Sequence, residues 1–274
     1  MDAEELLEKY AAGQRNFKNA ELSGVDLKGA KLSGIDLYSA KLTEADLSEA
    51  ILTKANLGNT NLSKANLTGA NLSGVQGGGQ NLISANLSGA NLSGACLNNS
   101  KLWDANLKEA NLSGANLSSA NLTRTSLIQA NLSKATLSSV ILTQADLTKA
   151  DLSRADLTGV TLQSANLQGA KLQLTKLSKS NLSGVNLDEA YLVGADIQGT
   201  NLKKSSLQGA SLEAANLQGS NLIKANLDGA NLKQAELTDA NIYAVSIENA
   251  DFTGAIMPDG EIYNQKVRKN YPKK

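Results

Sequence analysis

The chain has 274 residues, with 26 basic and 26 acidic side chains and no formal net charge, which argues against both a general polyanion binder and a wholly acidic mimic of nucleic acid. It has no histidine and one cysteine, Cys96. That removes the commonest general base, an internal disulfide and any multi-cysteine metal centre. No run of about 18 apolar residues exists, so no membrane span is expected. The acidic first residues lack a basic n-region, and a cytoplasmic protein is expected.

In chain order, the first element is a short helical cap over 1–13. Asp2 is the N-cap, with Glu5 placed to answer it. Leu6, Leu7 and Tyr10 are expected on one face, and Gly13 ends the helix.

A strict period of five follows. Phe17 opens it, and Leu22, Leu27, Leu32 and Leu37 continue it to Phe252 without insertion or deletion. Of the 48 central positions 42 are Leu, so any break in the pattern stands out. The residue two before the Leu is Ala in 31 pentads, and Asn or Asp usually stands between them. A period of five fits neither a helix at about 3.6 nor a strand at about 2. It fits a solenoid that takes one short straight step and one corner per pentad. Large and small residues then pair inside, where two large ones have no room. Asn, Asp, Ser and Gly suit the corners, and stacked Asn side chains form ladders.

Runs such as Ala85-Asn86-Leu87-Ser88-Gly89 resemble the pentapeptide-repeat family, over residues 15–254. The flanking stretches Glu4–Gly13 and Gly254–Gly260 are similar to those of cyanobacterial members. The resemblance implies an all-β solenoid, a right-handed quadrilateral β-helix of about 12 coils, roughly 57 Å long at a strand spacing of ~4.8 Å. A C-terminal cap and basic tail over 255–274 complete the expected organisation. Met257-Pro258-Asp259-Gly260 reads as a turn. Ile256, Met257, Ile262 and Tyr263 are available to cover the last coil, and Lys266–Lys274 is expected to be mobile.

Every fourth pentad falls on the same wall. The wall of Leu27 to Ile247 carries nine acids and three lysines, and that of Leu22 to Ile242 carries seven basic and three acidic residues. Ile83 and Trp103, the only tryptophan, fall on one outward column, rimmed by Lys101, Asp104 and Arg124. Such an apolar anchor in a basic rim is the pattern of a protein contact. Beside it, Gly77, Gly78 and Gly79 break the repeat. Gly77 leaves a Leu-sized void worth about 2–5 kcal/mol, and Gln80 buries an amide where Ala belongs. This corner is expected to bulge outward or rearrange, as a docking notch or a degenerate repeat. A second patch comprises Lys171, Leu174, Tyr191 and Val193.

Serines without a base, and paired acids on open walls, give no catalytic constellation. No enzyme activity, cofactor, metal, small-molecule substrate or direct nucleic-acid partner is expected. The preferred reading is a protein–protein interaction scaffold or regulator, monomeric or paired end to end. The alternative implied by the family resemblance is a DNA-mimicking binder of DNA gyrase that protects it from quinolones. Duplex DNA carries one charge per ~1.7 Å, about 33 over such a rod, far more than any wall here.

Overall fold

The computed structural model describes residues 1–263 and divides into two compact units, Met1–Val140 and Ile141–Lys274.

Unit 1 opens with α1, Ala3–Ala11. Asp2 accepts a hydrogen bond from the Glu5 N–H at 2.9 Å, as the N-cap should. At the other end Gln14 N–H reaches Lys9 O and Gly13 N–H reaches Tyr10 O, both at 3.0 Å. Gly13 has φ +96°, so the helix ends in a Schellman arrangement that needs this glycine. Leu6 is fully buried, but Leu7 is 39% exposed. The expected Leu6–Leu7–Tyr10 face is therefore corrected. Leu7 lies about 100° around the helix from Leu6, and only the Leu6–Tyr10 spacing of four residues keeps one side. Tyr10 donates its hydroxyl to Ser33 O at 2.7 Å and carries the Arg15 guanidinium 3.8 Å from its ring centroid.

After α1, unit 1 is a β-helix of isolated parallel bridges. The bridging residue is the one before each central Leu, and its partner is twenty residues further on, as in Asn86↔Asn106. Four pentads therefore make one turn. The Leu87 N–H donates to Asn106 O at 2.7 Å, and the Asn106 N–H donates to Ala85 O at 3.0 Å. Within the pentad, Ala90 N–H closes a turn on Leu87 O at 3.0 Å. The third residue of that turn takes positive φ, as at Gly114 (+65°) and Lys134 (+60°). Among the described residues no β-branched side chain occupies a positive φ, as sterics require.

The asparagine side chains work twice. Asn86 Oδ1 accepts from Ser88 N–H at 3.2 Å and from Asn106 Nδ2 at 3.0 Å. The first bond fixes the corner, and the second begins a ladder between turns. Inside, Leu112, Leu117 and Leu122 and their small partners Ala110, Ala115 and Ala120 are wholly buried. Each buried Leu contributes on the order of 2 kcal/mol by removal from water.

Unit 2 repeats the same register, as in Asn181↔Asn201 and Asn201↔Asn221. Several of its small positions hold hydroxyl residues. Thr175 and Ser205 donate to Leu172 O and Leu202 O, both at 2.7 Å. Ser220 is 1% exposed, and its Oγ has no partner. The unit closes in a tight reversal, with Gly260 N–H on Met257 O at 2.8 Å and an antiparallel bridge Ile256↔Ile262. This brings the Tyr263 ring 5.4 Å from that of Phe252. A small apolar cavity of about 10 Å³ remains among Leu237, Ile242, Val245, Ile247, Met257 and Tyr263. Met257 is buried as expected, but Ile262 is 68% exposed, which corrects its expected place in the cap. The antiparallel pairing that turns Tyr263 inward turns its neighbour out. The basic stretch Lys266–Lys274 lies outside the described residues.

Candidate docking surfaces

The first candidate surface lies in unit 1. Asn81↔Lys101 pairing sets Ile83 beside Trp103 one turn on, and Ser84 N–H bonds Trp103 O at 3.1 Å. Both apolar side chains are half-buried. The Arg124 guanidinium forks onto the Asp104 carboxylate with two bonds of 2.7 Å. That hydrogen bonding holds Asp104 below the usual carboxylate range and raises Arg124 further. Arg124 is thus occupied, whereas Lys101 is exposed and has no ion pair among the described residues. Opposite charges twenty residues apart were the signal for this pairing, because that spacing stacks two side chains directly.

The glycine break rearranges inward rather than outward. Gln80 is 1% exposed, and its amide takes the backbone partner that the missing leucine pentad leaves open. Its Nε2 donates to Gly77 O, and to Cys96 O at 3.1 Å. Its Oε1 accepts from the Ser100 hydroxyl. In a regular pentad the Cys96 carbonyl would take the N–H of the central leucine. The side chain of Gln80 supplies that donor instead. The three glycines pack against the neighbouring turns. A Cβ on Gly77 would stand 2.6 Å from Gly58 Cα, one on Gly78 2.5 Å from Asn98 O, and one on Gly79 2.5 Å from Asn59 Oδ1. Close backbone approach is what these glycines permit. The neighbouring thiol of Cys96 donates to Asn98 Oδ1 at 2.9 Å.

The second candidate surface lies in unit 2. Lys171↔Tyr191 and Tyr191↔Ser211 bridges put Tyr191 in mid-wall. Leu174 N–H bonds Val193 O at 3.1 Å, so Val193 sits one turn above Gln173 and beside Leu174. Leu174 has φ +57° and leans over Gly194, where a Cβ would be 3.0 Å from its Cδ2. Leu174 is 54%, Tyr191 51% and Val193 37% exposed. Three large apolar groups on adjoining turns thus face solvent, more open than Ile83 and Trp103.

Among the described residues no cluster of three or more His, Cys, Asp or Glu could hold a metal ion. No described helix is long and apolar enough to cross a membrane.

The sequence pattern described as pentapeptide repeats matches in segments running from 16–37 through 215–257. The chain belongs to the pentapeptide-repeat family. Its register of twenty residues per turn is thereby a right-handed pentapeptide-repeat β-helix. The chain is similar to HetL of the cyanobacterium Nostoc sp. strain PCC 7120, a pentapeptide-repeat protein involved in heterocyst differentiation regulation. Identity is 38%, with 96% of this chain and 100% of HetL covered, at a TM-score of 0.37. It is also similar to Rfr23 of the cyanobacterium Cyanothece 51142, at 37% identity over 40% of this chain and 64% of Rfr23, with a TM-score of 0.23. QnrB1, a plasmid-mediated fluoroquinolone resistance protein, shares 19% identity over 64% of this chain and 90% of its own, with a TM-score of 0.40. No curated protein matches the chain.

Proposed function

We propose that this pentapeptide-repeat chain is a non-enzymatic interaction module that docks a protein partner on a flat wall of its β-helix. The organisation we propose is a helical cap over 1–13, a quadrilateral β-helix of about 12 coils over 15–254, and a cap with a basic tail over 255–274. The setting is cytoplasmic, and no cofactor or nucleic acid takes part. The observation that carries the reading is the exposure of Leu174, Tyr191 and Val193 together on one wall beside Lys171. Soluble walls rarely hold such a cluster without a contact to cover it. Ile83, Trp103, Lys101 and Arg124 form a subsidiary contact. Gly77, Gly78 and Gly79 form its edge and belong to the same contact. The 38% identity with HetL, a protein of differentiation regulation, supports a regulatory role exerted by contact. The mixed charge of every wall counts against the gyrase-binding DNA mimic.

The test is a pull-down from native cytosol with wild type, the pair Leu174→Ser/Tyr191→Ser, and Trp103→Ser, followed by rebinding of the recovered protein to each purified form. A partner whose affinity falls at least tenfold with the Leu174/Tyr191 pair supports the reading. A partner bound equally by all three forms, or gyrase subunits as the recovered protein, overturns it.

A further inference from the structure

Within unit 2, Lys204 and Lys224 stack one turn apart. Lys204 N–H bonds Ile223 O at 2.9 Å, and Lys224 N–H bonds Tyr243 O at 3.0 Å. Both lysines are exposed and hold positive φ, +59° and +58°. The equivalent turn position in unit 1 is also charged, but there the signs alternate. Lys64 sits 3.2 Å from Glu44, and Arg124 sits 2.7 Å from Asp104. The register that neutralises charge in unit 1 puts two lysines one turn apart in unit 2, their main chains at roughly the ~4.8 Å spacing of paired strands. Like charges directly opposite are unfavourable.

Lys203 stands next to them, exposed, in the adjoining column that continues to Ile223 and Tyr243. None of the three lysines has an ion pair among the described residues. Tyr243 is 71% exposed, above every other exposed large apolar or aromatic side chain described. The Tyr243 main chain is fixed by Asn241 Oδ1 at 3.1 Å, so the ring is presented from a rigid corner.

We infer that this stretch of unit 2 is a further docking surface, shaped for an acidic segment of a partner protein. Lys203, Lys204 and Lys224 supply the counter-charge, and Ile223 with Tyr243 takes an apolar side chain of the same segment. Charge complementarity selects the sign of the partner. Relief of the stacked-lysine repulsion makes an anion more favourable here than at an isolated surface lysine. Ile223 beside Tyr243 adds an aliphatic contact that a leucine-type side chain next to the acids of a peptide would fill. This inference rests on the reading of the chain as an interaction module, but it uses a different wall from Leu174 and Tyr191 and another chemistry.

The test needs no native partner. The probe is a fluorescein-labelled dodecapeptide of alternating Glu-Glu-Leu triplets, followed by anisotropy at low salt. The variants are Lys204→Glu/Lys224→Glu and Tyr243→Ser. Lys134→Glu/Lys149→Glu makes the same change in net charge elsewhere, and Leu174→Ser/Tyr191→Ser removes the other surface. The wild type, the charge control and the Leu174/Tyr191 pair should bind within about twofold of one another. Lys204→Glu/Lys224→Glu should lose at least tenfold, and Tyr243→Ser several-fold. Equal loss in the two charge variants would show attraction by net charge alone and overturn the inference. So would retention of binding in Lys204→Glu/Lys224→Glu, or preference for a twelve-nucleotide oligothymidine over the peptide. Because the Leu174/Tyr191 pair is in the set, failure here leaves the first surface untouched, and failure there leaves this one.

Discussion

The Ser100 hydroxyl donates to the Gln80 side-chain oxygen inside unit 1, with both residues 1% exposed. That bond, with the two carbonyls held by the Gln80 amide, turns a missing leucine into a satisfied polar plug. Gln80→Ala should therefore destabilise although Ala is the commonest residue at this position, because it reopens the void and strips the Gly77 and Cys96 carbonyls and the Ser100 hydroxyl of their partner. A loss of about 2–4 kcal/mol is expected in chemical denaturation. Restoring the repeat by Gly77→Leu should also cost stability, about 2 kcal/mol or more, since φ is +81° and Gly58 lies within 2.6 Å of the new Cβ. A stabilised Gly77→Leu protein would overturn this account of the break.

Ser220 offers the opposite case. Its Oγ is buried without a partner, in a position where Ala is the rule. Ser220→Ala should stabilise by about 1 kcal/mol, with no change in the dichroism spectrum. A destabilised variant would mean that the hydroxyl is hydrogen-bonded in solution.

Asp156 supplies a pH dependence. Hydrogen bonds from Thr158, the hydroxyl first and then the N–H at 3.0 Å, hold its carboxyl below the usual carboxylate range. The unfolded chain then takes up this proton at higher pH than the folded one. The contribution is present above the unfolded value of about 3.9 and is lost as pH falls through the lowered folded value. Asp156→Asn lacks that proton. Its melting temperature should fall less than that of the wild type between neutral and strongly acidic pH, and equal falls would remove Asp156 from the linkage.

Leu174→Ser and Tyr191→Ser should leave stability within about 0.5 kcal/mol, since both side chains are half exposed and the Leu–Ala interior is untouched. Thermal melts that shift by more than a few degrees would make these residues part of the fold and not a free surface.

Much of the fold is legible in the sequence because the interior rule is stated once per pentad and almost never broken. Leu112 and Ala115 are interchangeable with dozens of equivalents, so the twenty-residue register of Asn86↔Asn106 follows from counting. The candidate surfaces are less legible. Register stacks Arg124 on Asp104, yet only coordinates distinguish a loose rim from a forked ion pair. The same register puts Ile83 beside Trp103, but it says nothing of their half-burial, which depends on the rotamers of neighbouring turns. Periodicity buries the Gln80 amide but not its solution, which uses a side-chain amide in place of a backbone N–H. The cap residues Leu7 and Ile262 failed because helix phase and strand alternation, not hydrophobicity, choose which neighbour faces inward.

Pairing at a spacing of twenty, with the interior rule renewed every five, gives insertions an unusual effect. One extra pentad would leave each leucine stacked on a leucine while moving every later outward residue a quarter-turn onto the neighbouring wall. Four extra pentads would return each to its own wall, one level further along. The interior reads the chain modulo five and the surface reads it modulo twenty. A duplication of fifteen nucleotides could therefore rewrite which side chains share a face, and hence what the protein recognises, without altering what holds it together.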